Sequence, residues 1–335
     1  MEMNMLENFD LKEELKKRGT KKIGYVPFAQ KANGSWVSIP VMLAVGKKEG
    51  PVLLADGCCH GDEYEGTEGI IAAFDALDVS EMSGAFVGVP ALNLDAFGEM
   101  RRYNGNDFVP VDLNRTFPGN EEGYLTSSLA HFYFNNFIKH ANGLITLHGG
   151  GNYLYLSPVT NFQHMGDETS KMSEAMARAF GFEVLWRDDE CSGEQGMEDQ
   201  VSYLNGVPAI TPEIGGQATR LHHREETVGR IREGIMNVLR LFKILDGEVK
   251  TFEDQYYVNL EYIYSRHGGI HKPLKKEGEE VRKGETLSII TDVFGREVDR
   301  VLSPYDGVVV GFLAYSIINP RSWSYLLGRD VKKAD

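Results

Sequence analysis

The stretch Asp56-Gly-Cys-Cys-His-Gly-Asp-Glu-Tyr-Glu-Gly66 decides how the chain is read. It follows the apolar run Pro51-Val-Leu-Leu-Ala55 and leads into a helical pattern, which makes it a strand-to-helix turn. His60 and Glu63 stand at i, i+3 on that turn. Side chains at this offset share one face of a helical turn, so an imidazole and a carboxylate there converge on one ion. Surface helices use the same spacing freely. The pair therefore carries weight only if the rest of the chain supplies a third ligand, a base and groups that grip a substrate.

On the N-terminal side, residues 5–18 have Leu6, Phe9 and Leu15 in rough helical register and predict a short peripheral helix. Three β-rich runs bounded by turns, Ile23–Phe28, Trp36–Val45 and Pro51–Ala55, predict strands, the first two as a hairpin. Beyond the opening stretch, helices and strands alternate: helix 65–77, strand 85–92, helix 124–140, strand 143–147, helix 168–180, strand 183–186 and strand 208–211. Such alternation predicts an α/β fold, a mostly parallel mixed sheet covered by helices on both faces. Functional groups in these sheets gather at the carboxyl ends of the strands. His60, Asn93, His148 and Glu213 each stand just past an expected strand end. Residues 222–245, with Val228, Ile231, Ile235, Val238, Leu239 and Phe242 on one stripe, predict the helix that closes this part.

After Gly247 the texture changes to short β segments with frequent glycine. The expected organisation is a peripheral helix at 1–20, an α/β domain at 21–250 and a small C-terminal all-β, barrel-like domain at 251–335. Two domains agree with the prior of roughly 100–200 residues each.

Composition narrows the function classes. The 335-residue chain is 42% hydrophobic and 25% charged, with 35 basic against 49 acidic residues and a net charge of −14. An acidic surface argues against nucleic acid or an anionic membrane as partner. No apolar run approaches the ~18 residues of a membrane span, and the first residues lack the basic start and apolar core of a secretory signal. Three cysteines, Cys58, Cys59 and Cys191, offer no disulfide framework, and a cytoplasmic location is expected. Cys58, two residues before His60, is read as a buried thiol rather than a ligand.

The third metal ligand is sought at His148 in Leu147-His-Gly-Gly-Gly151, at the end of an apolar strand. Catalytic zinc takes three protein ligands and keeps a fourth position open. Glu213 in Pro212-Glu-Ile-Gly-Gly216 is a carboxylate at another strand end, suited to take a proton from water that a metal acidifies. In isolation it reads equally as a solvated or capping glutamate. Between Asn93 and Gly119, a loop-like segment holds Arg101, Arg102 and Arg115, whose guanidinium forks suit a carboxylate or an oxyanion, or ordinary surface ion pairs.

Together, His60-x-x-Glu63, Asp112-Leu-Asn-Arg-x-Phe-Pro-Gly119, His148-Gly and Glu213-x-Gly215 resemble the succinylglutamate desuccinylase and aspartoacylase family, within the zinc carboxypeptidase-like fold. The resemblance spans roughly residues 20–330. It implies one Zn2+ per chain held by His60, Glu63 and His148, with Glu213 as general base and then acid. Arg102 would polarise the scissile carbonyl, and Asn114 and Arg115 would hold a substrate carboxylate. The phrase His-Gly-Asp-Glu-Tyr-Glu-Gly, with the all-β tail, is similar to the branch that includes N-acetyl-diaminobutyrate deacetylases. The implied activity is removal of an acyl group from a small N-acyl amino acid. A zinc carboxypeptidase acting on short peptides and a non-catalytic binding protein are the alternatives, and a homo-oligomer stays open. Many relatives carry aspartate two residues before the second zinc histidine, where this chain has Thr146. The tail resembles a biotinyl/lipoyl-type barrel, but Thr291-Asp-Val-Phe-Gly-Arg296 has no lysine at the hairpin tip, which favours a structural or access-restricting role. The segments 152–166 and 187–200 show no motif and are read as pocket loops.

Overall fold

The computed structural model describes residues 4–191, 195–216 and 223–334. Residues 192–194, inside the expected pocket loop, and residue 222, the expected start of the long helix, lie outside the described residues.

A twelve-stranded sheet organises the chain. Strands β1 (Thr20–Gln30) and β2 (Trp36–Val45) form the expected antiparallel hairpin, and β2 pairs antiparallel with β4 (Ser83–Val89). Then β4, β3 (Lys48–Gly57), β5 (Gly143–Leu147) and β8 (Ala209–Gly215) lie side by side in parallel. The next strand, β6 (Leu154–Gln163), runs antiparallel to β8 and parallel to β7 (Val184–Asp188). It occupies the segment expected to be a loop. The reason lies in its composition: Ser157, Pro158, Thr160 and Asn161 break the apolar run that marks a buried strand.

Seven α-helices flank the sheet among the described residues: α1 (Leu11–Glu14), α2 (Glu65–Asp75), α3 (Leu94–Glu99), α4 (Leu125–Asn136), α5 (Glu168–Phe180), α6 (Glu198–Leu204) and α7 (Arg224–Leu241). Alternation along β3 assigns the two faces. Leu53 and Ala55 pack under α2, α5 and α7, while Val52 and Leu54 pack under α4. Local chemistry sets the ends of α5, where the Asp167 carboxylate accepts from Ser170 N at 2.8 Å and Gly181 leaves the helix at φ 89°. At the N-terminus the expected helix over 5–18 shrinks to α1, because Met5 and Leu6 instead bridge and hydrogen-bond to Tyr25 on the β1 edge.

The tail extends the same sheet. β9 (Tyr256–Tyr264) pairs parallel with β7 and antiparallel with the last strand, β16 (Trp323–Lys333). β16 pairs with β14 (Gly307–Leu313), and β14 returns to β6. Five strands, β6-β7-β9-β16-β14, thus close a ring around Leu156, Val159, Val184, Val258, Val308, Val310 and Leu326. Their neighbours Val309, Leu313, Tyr325 and Leu327 face the other way, into a second core covered by a four-stranded sheet. That sheet joins β13 (Glu297–Leu302), β12 (Thr286–Thr291), β10 (Gly269–Pro273) and β15 (Ile317–Ile318); β11 (Glu280–Val281) edges β14. The ring brings tail residues against the ends of β6 and β8.

Candidate active site

β3 and β5 are parallel neighbours with Gly57 opposite Leu147, so the residues after each strand emerge at the same edge. Cys58 turns the chain at φ 52°, a left-handed conformation, and the loop beyond it packs tightly on α3. A Cβ on Gly61 would sit 2.0 Å from the Ala96 carbonyl carbon, so only glycine permits that approach. The outcome is that His60 and His148 stand side by side, ring centroids 4.8 Å apart, with Glu63 between them. His60 Nδ1 lies 2.8 Å from Glu63 Oε1, and His148 Nδ1 lies 2.7 Å from Glu63 Oε2. All three side chains are buried, and their donor atoms lie within 4.8 Å of one another. Burial alone would raise the Glu63 carboxyl, but the two imidazoles hold it well below the usual carboxylate range.

Asp112 is the residue to which sequence reasoning assigned no role. Its Oδ1 lies 3.0 Å from His60 Nε2 and accepts from Asn114 N at 3.0 Å; its Oδ2 accepts from Arg102 Nε at 3.2 Å and Nη2 at 3.0 Å. It thereby fixes the rear of the His60 imidazole, orients Arg102 and caps the short turn Leu113–Arg115. Burial opposes ionisation of Asp112, but the bonds to His60 and Arg102 keep its carboxyl well below the usual range. The signal was present in the Asp112-Leu-Asn-Arg motif, yet its function depends on His60, 52 residues earlier, as well as on the nearer Arg102. Second-sphere carboxylates typically change metal affinity or activity by roughly 10–100-fold, so Asp112→Asn is expected to weaken zinc binding on that scale, read by competitive chelator titration.

Arg102 reaches Glu63 Oε1 through Nη1 at 3.2 Å, whereas Arg101 is exposed. Arg115 lies at the rim and donates Nη1 to the Asn114 carbonyl at 2.7 Å. Asn114 is buried; its Oδ1 accepts from Glu198 N at 2.8 Å and its Nδ2 faces His148 Nε2 at 3.4 Å. Position 146 carries no carboxylate, and Asn114 Nδ2, a donor, can bond His148 Nε2 only where that nitrogen is unprotonated. Thr146 donates to Glu198 Oε2 at 3.4 Å, and Tyr133 donates to Asp56 Oδ2 at 3.0 Å. Burial, then mutual repulsion, pushes Glu198 well up, and burial raises Asp56. Asn93 does not join the site: it lies at the start of α3 with its Nδ2 3.5 Å from the Cys59 carbonyl. Cys58 donates Sγ to the Glu63 carbonyl at 3.3 Å, and burial pushes its thiol up to about 12.

Glu213 lies within β8 rather than beyond it, bridged to His148. Its carboxylate lines the same chamber as His60, Glu63 and His148. Burial pushes it up to about 7, His148 opposes this and the like charge of Glu63 adds to it. The chamber measures ≈ 100 Å³ and opens on a wider vestibule of ≈ 550 Å³; Glu63, Arg102, Arg115 and Trp323 border both. Residues that sequence reasoning did not find complete its walls. Asn161, Trp186, Asp199 and Thr211 come from β6, β7, α6 and β8, and Tyr262 and Trp323, ring centroids 4.5 Å apart, come from the tail.

Comparison with known proteins places this geometry among relatives. The model of the succinylglutamate desuccinylase/aspartoacylase catalytic domain matches residues 49–242. An N-alpha-acetyl-L-2,4-diaminobutyric acid deacetylase of Halomonas elongata is 27% identical over 267 residues, covering 77% of this chain and 76% of its own. A succinylglutamate desuccinylase from Silicibacter sp. TM1040 superposes with a TM-score of 0.83 at 23% identity, covering 94% of this chain and 96% of the other. A succinylglutamate desuccinylase/aspartoacylase from Rhodobacter sphaeroides gives 0.82 at 25% identity, covering 96% and 98%.

Proposed function

We propose, from the premise that the chain belongs to the succinylglutamate desuccinylase/aspartoacylase family, that it is a zinc-dependent amidohydrolase that removes the acyl group from a small N-acyl amino acid. The observation that carries this is the convergence of His60, Glu63 and His148 with the Glu213 carboxylate in one chamber. Two imidazole nitrogens and a carboxylate are a usual donor set for hydrolytic zinc, and the Asp112 carboxylate behind His60 is its usual support. The residues therefore fit one Zn2+ per chain. Bound there, the metal would supply Lewis acidity, polarising the amide carbonyl and acidifying water.

The rest of the chemistry belongs to the side chains. Glu213, ionised, accepts the proton of the attacking water and later delivers it to the departing amine nitrogen. Arg102, held by Asp112, directs Nη1 toward the charge that grows on the carbonyl oxygen. Arg115 at the rim grips the substrate carboxylate, with Asn114 beside it. Tyr262 and Trp323 narrow the opening and limit water and substrate length, the access-restricting role assigned to the all-β unit at 251–335. A carboxypeptidase reading would need an open groove, which the small chamber disfavours. The deacetylase relative supports a short acyl group. No helix of the described residues is long and apolar enough to cross a membrane, and we place the enzyme in the cytoplasm.

The test is metal content together with hydrolysis of N-acetyl, N-succinyl and N-formyl amino acids. About one zinc per chain and turnover of at least one class is expected; less than roughly half an equivalent of zinc, or cleavage of dipeptides alone, would overturn the reading. The pH profile is set by Glu213. The base works only when ionised, so kcat/KM rises with pH through its acid limb. That limb is expected at or below about pH 7, because burial sets the carboxyl near that value and a bound cation pulls it down.

A further inference from the structure

The tail strand β16 carries an irregularity beside the chamber. Along its pairing with β9, Leu326 stands opposite Tyr262, Tyr325 opposite Ile263 and Trp323 opposite Tyr264, so Ser324 has no counterpart. One extra residue on one of two paired strands is a β-bulge, and it breaks the alternation of side chains. Leu326 lines the chamber, and Tyr325 lies in the second core of the tail. Strict alternation would carry Trp323 to the side of Tyr325, away from the chamber. With Ser324 inserted, Trp323 returns to the chamber side, its ring centroid 4.5 Å from that of Tyr262. The bulge is what aims Trp323.

Two polar groups inside the tail hold Ser324 in that position. Ser324 is buried, as are Ser288 on β12 and His271 on β10. Ser324 Oγ lies 2.9 Å from His271 Nε2 and 3.1 Å from Ser288 Oγ. His271 stands opposite Ile290, and Ser288 is two positions from Ile290, so both share the face that Ile290 packs into the second core. A buried polar group left without a partner in such a core is costly. No neighbour on β16 substitutes for Ser324, because the Tyr325 hydroxyl is committed to the Leu287 and Lys275 carbonyls at 2.7 and 3.0 Å. A one-residue slip of β16 would put Trp323 or Tyr325 where Ser324 sits and strand His271 and Ser288. The network therefore selects the bulged register.

We propose that Ser324, locked by His271 and Ser288, is a positioning residue that sets Trp323 against Tyr262, so that the core of the tail determines how bulky a substrate the chamber admits. None of the three lines the chamber or the vestibule, and they act through Trp323. The effect on substrate choice rests on the N-acyl amino acid reading of the site, whereas the aim of Trp323 does not.

The test uses two readouts on the full chain. The first is fluorine NMR of protein labelled with 5-fluorotryptophan, its three tryptophan signals assigned by single replacements with phenylalanine. Ser324→Ala and His271→Leu are expected to shift or broaden the Trp323 signal and to leave that of Trp36, on β2, unmoved as a control of the fold. His271→Gln, whose amide replaces the Nε2 hydrogen bond, is expected to restore the wild-type signal. The second readout is kcat/KM of the zinc-loaded enzyme for N-acetyl-L-alanine and N-acetyl-L-phenylalanine. The ratio is expected to move toward the bulky compound by about tenfold in S324A and H271L and to stay within about threefold of wild type in H271Q. Trp323→Ala is expected to move the ratio the same way, with S324A adding nothing further to it. Loss of packing alone would lower both rates and leave the ratio in place. A Trp323 signal unmoved in S324A and H271L, or a ratio unmoved in both, overturns the proposal; where S324A does not fold, the two His271 variants decide. Hydrolysis of no N-acyl amino acid counts against the reading of the site instead, and the fluorine signal then judges Ser324 by itself.

Discussion

Replacing Glu213 by glutamine is expected to lower kcat by about 10²–10⁴-fold while zinc stays bound at about one per chain. The substitution keeps shape and hydrogen-bonding capacity and removes only the ability to take a proton. Glu213 is not among the three convergent donors, so the metal site has no reason to empty. Burial places its carboxyl near 7, where it is basic enough to accept a proton from water and acidic enough to return one to an amine. The measurement is kcat on an N-acetyl amino acid beside metal analysis of the same preparation. If kcat stayed within tenfold of wild type with zinc present, Glu213 would not be the base.

The second large effect concerns His148. His148→Ala is expected to leave well under 0.1 zinc per chain after dialysis and activity at least ~10³-fold down, because two remaining donors do not hold a catalytic zinc. Glu63 loses its 2.7 Å partner at the same time, so a buried carboxylate is left with less compensating charge. Circular dichroism checks that the fold persists, since His148 stands beyond the end of β5 and belongs to neither of the two main cores. Retention of a full zinc equivalent by the variant would show that the ion sits elsewhere. The contrast with Asp112→Asn is informative: loss of a proposed ligand is expected to abolish binding, whereas loss of a residue that holds a ligand ring is expected to weaken it.

Position 146 shows what residue identity alone leaves open. The family resemblance implies an aspartate there to support the second imidazole. In the folded chain Thr146 instead bonds to Glu198, and His148 Nε2 faces the Asn114 amide nitrogen, a donor that cannot take the proton a carboxylate would. Arg101 and Arg102 are a similar case. Adjacent arginines are indistinguishable in sequence, and only the turn after α3 decides that Arg102 meets Asp112 and Glu63 while Arg101 meets solvent.

What the sequence by itself determined was the local and the periodic. His60 and Glu63 are read from their i, i+3 spacing on one turn, the helices α2, α4 and α5 from their alternation with strands, α7 from its apolar stripe, and His148 from the end of a short apolar run. These signals are strong because each depends on neighbours within a turn or a strand. What only the tertiary structure decided was which distant segments share a wall. The strand β6 hid behind Ser157, Pro158, Thr160 and Asn161, of which Asn161 lines the chamber and Ser157 donates to the Val310 carbonyl of β14. Tyr262 and Trp323 reach the chamber because β14 returns to pair with β6 and closes the five-stranded ring. Strand pairing is set by hydrogen bonds and packing between segments more than a hundred residues apart, and no local pattern in either segment encodes its partner.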